Sequence, residues 1–117
     1  MRSQKVQKRA AKTGFDYPDA AAAFGDLKSE IAELQEAMTQ GTCESCAEEL
    51  GDVLFSAVNV ARLLGIDAEE ALTGSCEKFI RRFDRVEELA RQENILLADQ
   101  TLDRLNELWD AAKRCEA

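Results

Sequence analysis

The stretch "AEELGDVLFSAVNVARLLG", residues 47–65, decides the fold. After Asp52 it is almost wholly apolar, as a buried helix is. It opens on Glu48, Glu49 and Asp52, and carboxylates at the mouth of a buried helix are unfavourable unless something neutralises them. Leu50, Val53, Leu54, Ala57, Val58, Ala61 and Leu64 share one broad face. Phe55, Val60 and Leu63 lie outside it, so apolar surface nearly encircles the helix. Such a helix is central, or is shared with another subunit.

Working outward, the spacing of Leu27, Ile31, Leu34 and Met38 predicts a helix over 19–40, with Asp19 as N-cap and Gly41 as its stop. The second helix spans 44–64 and ends at Gly65. A third covers 67–92, capped by Asp67 and weakened at Gly74, where a break is possible. A last helix spans 101–115, with Thr101 as cap and Leu102, Leu105, Leu108 and Trp109 as its packing face. Residues 2–12 read as a short basic helix, and "TGFDYPD", 13–19, as a turn. No segment alternates with period two. The expected fold is all-α: one domain over 1–117, built as an antiparallel four-helix-type bundle.

Composition narrows the function. There are 23 acidic and 15 basic residues, a formal charge of −8, which argues against a general nucleic-acid surface. Histidine is absent, which removes imidazole as base, nucleophile or ligand. "CESC", 43–46, has neither a second thiol pair nor a histidine to complete a zinc site, and no βαβ setting for redox work. The cysteines are read as reduced thiols. No run approaches transmembrane length, and the basic N-terminus lacks an apolar core, so a soluble, cytoplasmic protein is expected.

Chemistry concentrates in the acids. Glu30 and Glu33 in "EIAE", and Glu49 and Asp52 in "EELGD", are i, i+3 pairs beside apolar stripes. The short connection at Gly41 makes their helices antiparallel neighbours, which brings the pairs together. Four carboxylates in one place either protonate or hold a divalent cation. Oxygen ligands suit Mg²⁺, with Mn²⁺ as a substitute. Either pair alone is a weak signal, since Glu is common on helices. Lys78, Arg81, Arg82 and Arg85 lie on one side of the third helix. They are either a solvated face paired with Glu77, Asp84 and Glu88, or a clamp for phosphates.

Taken in order, "EIAE", fourteen residues and "EELGDVLFSAVNVARLLGID" resemble the signature of MazG-type all-α nucleoside triphosphate pyrophosphohydrolases. The likeness extends over "VQKRAAKTGFDYPD", "EKFIRRFDRVEEL" and "LWDAAK", nearly the whole chain. It implies an intimate homodimer, with a tetramer as the alternative, and Mg²⁺-dependent hydrolysis of a nucleoside triphosphate to monophosphate and pyrophosphate. It implies Glu30, Glu33, Glu49 and Asp52 as metal ligands, with Glu48 and Glu49 handling water. It implies Lys78 and Arg82 on phosphates, and Trp109 and Lys113 on substrate. Asn59 is a further candidate, for substrate or for a buried polar contact. The chain departs from many relatives at Ser29, where they carry an acid, in lacking a Lys within "TCESCAEE", and in Tyr17 for Trp. It matches the C-terminal half of two-domain relatives, as a stand-alone domain or a fragment. The rival expectations are a narrow dUTP/dCTP pyrophosphatase, a non-catalytic dimerisation or regulatory module, and a plain structural bundle with solvated acids.

Overall fold

A computed structural model describes residues 1–116. They form five α-helices and one 3-10 turn: α1 (Arg2–Ala11), α2 (Ala20–Gln40), α3 (Cys43–Leu63), α4 (Ala68–Gln92), the turn Leu97–Asp99, and α5 (Leu102–Arg114). The described chain is therefore all-helical. It separates into two compact units, Met1–Ala71 and Leu72–Ala117, with α4 crossing the boundary.

The helix ends follow local chemistry. Asp19 accepts from the Ala22 amide, Asp67 from that of Glu70, and Thr101 from that of Arg104, so the three expected caps form. α3 starts one residue early, because Thr42 caps it by accepting from Ser45 N. Gly65, at φ +73°, follows α3 in the left-handed conformation that favours glycine. Gly41 is needed for another reason. Its backbone is extended, but an added Cβ would lie 2.7 Å from the carbonyl oxygen of Ala37. The feared break at Gly74 is absent, since α4 runs through it unbroken.

In the first unit, α2 and α3 pack as an antiparallel hairpin. Cys46 Sγ donates to Ala37 O near the turn, and farther along Glu30 meets Glu49 and Asp52. The contact face of α2 differs from the expected one. Ile31 and Met38 of the apolar stripe are 50% and 71% exposed, whereas Ala23 and Ala37 are buried. Ala23, Glu30 and Ala37 recur every seven residues, hence on one side of the helix. The seam is thus lined by Ala23 and Ala37, with Leu27 and Leu34 of the expected stripe half-buried beside them, and the acids stand at its solvent-open edge. On α3, Leu54 is likewise 59% exposed. α1 lies against α3, where Gln7 Nε2 donates to the carbonyl of Phe55.

In the second unit, Val86, Leu108 and Ala112 form the buried cluster, with Leu89, Ile95, Leu97 and Trp109 against it. Leu102, expected in that face, is 71% exposed. It sits at the first position of α5, ahead of the turn that packs.

The two glycines give opposite expectations. Gly41→Ala should destabilise by about 1–3 kcal/mol, because a backbone oxygen has to yield. Gly74→Ala, with open space around it, should stabilise by about 0.5–1 kcal/mol through helix propensity. Urea denaturation of the two variants checks both signs.

Candidate metal and phosphate site

The hairpin register places acid opposite acid. One carboxylate oxygen from each of Glu30, Glu49 and Asp52 lies within 4.8 Å of the other two. Glu30 and Glu49 are half-buried and Asp52 is exposed, so the group opens to solvent on one side. Glu33 adjoins it through interactions with both Glu30 and Glu49. Glu48 is exposed beside Glu49.

The electrostatics follow from burial of like charge. The Glu30 carboxyl is pushed up from its ordinary value by burial, then by its hydrogen bond with Glu33 and the charges of Glu33, Asp52 and Asp26. Glu49 is raised by burial and by the charges of Glu33, Asp52 and Glu48. Glu30 Oε2 and Glu49 Oε2 are buried with no hydrogen-bond partner. A buried carboxylate oxygen without a donor is costly, and a hard cation is the ligand that satisfies several at once. The all-oxygen donor set fits Mg²⁺ or Mn²⁺. Ser29 adds nothing to the cluster: it is exposed, and its hydroxyl donates back to the Gly25 carbonyl.

The other candidate residues occupy the second unit, except Asn59. Lys78 and Arg81 are exposed and make no salt bridge among the described residues. Arg82 pairs with Glu116 at 2.8 Å and sits over the Trp109 ring at 5.9 Å. Arg85 pairs with Glu88. The basic face is therefore partly neutralised, with Lys78 and Arg81 left available. Trp109 packs against Phe79, centroids 5.2 Å apart, so it supports the core while keeping one face on Arg82. Lys113 is exposed near the end of α5. All four cysteines are free.

Asn59 is 8% exposed, and its Oδ1 accepts from Arg62. Arg62 in turn forks onto both oxygens of Asp16 at 2.6 and 3.0 Å. That hydrogen bonding holds the Asp16 carboxyl below its usual range. Tyr17 Oη donates to Asp26, which pushes the phenol up to about 12. Sequence reasoning missed Gln7, Asp16 and Arg62. No spacing rule joins residues from a turn and two helices, although an Arg within an apolar helix was a usable signal.

A family model described as the MazG nucleotide pyrophosphohydrolase domain matches residues 19–87. A "nucleoside triphosphate pyrophosphohydrolase/pyrophosphatase MazG" of Thermotoga maritima is 36% identical over 111 residues, 95% of this chain and 42% of the relative. A nucleoside triphosphate pyrophosphohydrolase of Escherichia coli K12 is 38% identical over 118 aligned residues, 99% of this chain and 45% of the relative. YabN of Bacillus subtilis, of uncharacterised function, is 50% identical over 68 residues, covering 58% of this chain and 14% of that protein. The chain spans less than half the length of each. No helix among the described residues is long and apolar enough to cross a membrane.

Protons and divalent cations should compete at the acid cluster. Raised carboxyl values mean that the protonated cluster favours the fold. That contribution is fully present below the ordinary carboxylate range and is lost as pH rises through the raised values. Mg²⁺ or Mn²⁺ should therefore raise Tm more at about pH 8 than at about pH 5. Glu30→Gln should raise the metal-free Tm at the higher pH and blunt the cation response. Calorimetry across the two conditions checks this.

Proposed function

The chain belongs to the MazG nucleotide pyrophosphohydrolase family, and from that membership we propose that it hydrolyses nucleoside triphosphates to monophosphates and pyrophosphate with a divalent cation. The observation that carries the reading is the meeting of Glu30, Glu49 and Asp52 within 4.8 Å, with two buried oxygens lacking partners. Glu30, Glu33, Glu49 and Asp52 are the proposed cation ligands. A cation held there supplies positive charge to the substrate's phosphate oxygens.

The chain's own residues supply the rest. Glu48 and Glu49 are assigned to orient the attacking water and accept its proton, as carboxylates within reach of a water commonly do. Lys78 and Arg82 are assigned to phosphates, Trp109 and Lys113 to other parts of the substrate. The gain comes from positioning and charge stabilisation, since phosphoryl transfer asks little covalent chemistry of the protein. Housekeeping of the nucleotide pool in the cytoplasm is the role this activity serves, with neither nucleic acid nor membrane as partner.

We infer further that the working form is a homodimer. Ile31, Met38, Leu50 and Leu54, all on the hairpin, are exposed apolar side chains within one chain. A second copy covers them and completes the bundle.

A degenerate, non-catalytic module is the second reading, favoured by Ser29 turning away from the cluster. One experiment separates the two. Purified protein is incubated with the common NTPs and dNTPs plus Mg²⁺ or Mn²⁺, and pyrophosphate is followed. Release is expected, and preference for one or two deoxynucleotides would mark a narrow enzyme. Glu49→Gln should lower turnover by about 10²-fold or more while leaving helical content intact. Cation-dependent stabilisation without release from any nucleotide would establish the degenerate module instead. For the dimer, sedimentation should show Leu54→Glu as a monomer at concentrations where the parent is dimeric; a tetrameric parent would displace that assignment.

A further inference from the structure

The first unit contains a cavity of about 370 Å³ lined by α1, the following turn and α3. Its walls carry Val6, Ala10, Phe15, Tyr17 and Phe55, and its polar groups are Gln7, Asn59, Arg62 and Asp16. Mostly apolar walls with a few fixed polar groups characterise small-molecule pockets, and the volume falls in their range.

Two polar atoms at this cavity lack partners. Gln7 is 5% exposed, and its Nε2 is committed to Phe55 O at 2.9 Å, which fixes the amide and leaves Oε1 buried without a donor. Arg62 spends its terminal nitrogens on Asp16 and Asn59, leaving Nε buried without an acceptor. Asn59 commits its Oδ1 to Arg62, so its amide N–H groups are the remaining donors. An acceptor and donors lining one cavity with aromatic walls complement a flat heterocycle whose edge carries both N–H and C=O or ring nitrogen.

The position of the cavity selects among such heterocycles. Asn59 follows Asp52 by seven residues, two turns along the same side of α3, or about 10 Å. Tyr17 joins the two places: its ring lines the cavity, and its hydroxyl holds Asp26, one turn before Glu30 on α2. A ring in the cavity would thus stand about two helical turns from the acids, a gap that a substituent chain on the ring could span.

We propose that this cavity is the nucleobase pocket, and that Gln7 and Asn59 set base preference by reading the base's hydrogen-bonding edge. The proposal rests on the pyrophosphohydrolase reading for the phosphates but not for the base. Gln7 lies ahead of residues 19–87, so the selecting group stands outside the family-matched segment.

The test uses nucleosides, which carry no phosphate. Saturation-transfer NMR of adenosine, guanosine, cytidine, uridine and thymidine in metal-free buffer should show binding of at least one. Ala10→Phe, which fills the cavity, should abolish it; Ala10→Leu serves if the larger ring unfolds the protein. Gln7→Met should weaken the nucleoside about tenfold. It should raise KM for the matching triphosphate by a similar factor, with kcat within about twofold. Binding of Mn²⁺ with tripolyphosphate, which has no base, should be unchanged in both variants. Equal nucleoside binding by parent and filled-cavity variant, or none by the parent, overturns the proposal. So does a Gln7→Met variant that lowers kcat and spares KM. Nucleoside binding without pyrophosphate release would instead refute the hydrolytic reading and leave the pocket standing.

Discussion

Like-charge repulsion inside the α2–α3 seam is the constraint on which the rest of the first unit depends. The helices approach because the residues flanking Glu30 at seven-residue intervals are alanines, and because Gly41 lets the turn close against Ala37 O. That same closeness drives Glu30, Glu49 and Asp52 together and denies two of their oxygens a donor. The hairpin is held by caps at Asp19 and Thr42 and by α1 laid across α3. Stability invested elsewhere thus maintains an arrangement that is unfavourable until positive charge enters it, as pre-organised sites generally require.

Much of this was legible in the sequence, for definite reasons. Helix caps are local, so Asp19, Asp67 and Thr101 were identifiable from two or three neighbours. The acid pairs were legible because i, i+3 spacing and a short turn fix which carboxylates can meet. The seam itself was half misread. Of the hydrophobic stripe Leu27 and Leu34 are half-buried while Ile31 and Met38 are exposed, and the fully buried residues of α2 are Ala23 and Ala37. Hydrophobicity ranks faces by what water rejects, while close approach of two helices selects small side chains. Gln7 escaped notice because a polar residue in a short basic helix carries no pattern. Its burial depends on where α1 lands on α3.

The misread stripe has its own meaning. Among the described residues no large side chain is fully buried, and Ile31, Met38 and Leu54 all stay at least half exposed. A chain with 45% hydrophobic residues has enough apolar material for a core, so composition does not account for the deficit. α2 presents two faces: a small-residue face used within the chain and a large-residue face left over. Nearly encircling apolar surface on α3 fits the same division. The inference that a second copy covers the leftover face explains why hydrophobicity and burial disagree on the same helix.

A division of labour along α3 follows from its periodicity. Glu49 and Asp52 stand on its first turns, Asn59 follows Asp52 two turns later on the same side, and Arg62 comes one turn beyond Asn59. The near end carries unpaired negative charge, which suits a cation and through it phosphate. The far end carries carboxamide and guanidinium groups already tied to Asp16 and to each other, with single hydrogen-bonding positions left over. Charge at one end acts on any triphosphate alike, because phosphates do not differ between nucleotides. Discrimination has to come from neutral groups of fixed orientation, since a site built to hydrogen-bond an edge is left with unpaired polar atoms by the wrong one. Gln7 meets that requirement better than any charged residue here. Its amide is locked by Phe55 O and cannot rotate to suit a different base. On the proposed reading, selection and hydrolysis fall to different residues of one helical scaffold, so that a change on α1 would alter base preference and leave the acids in place.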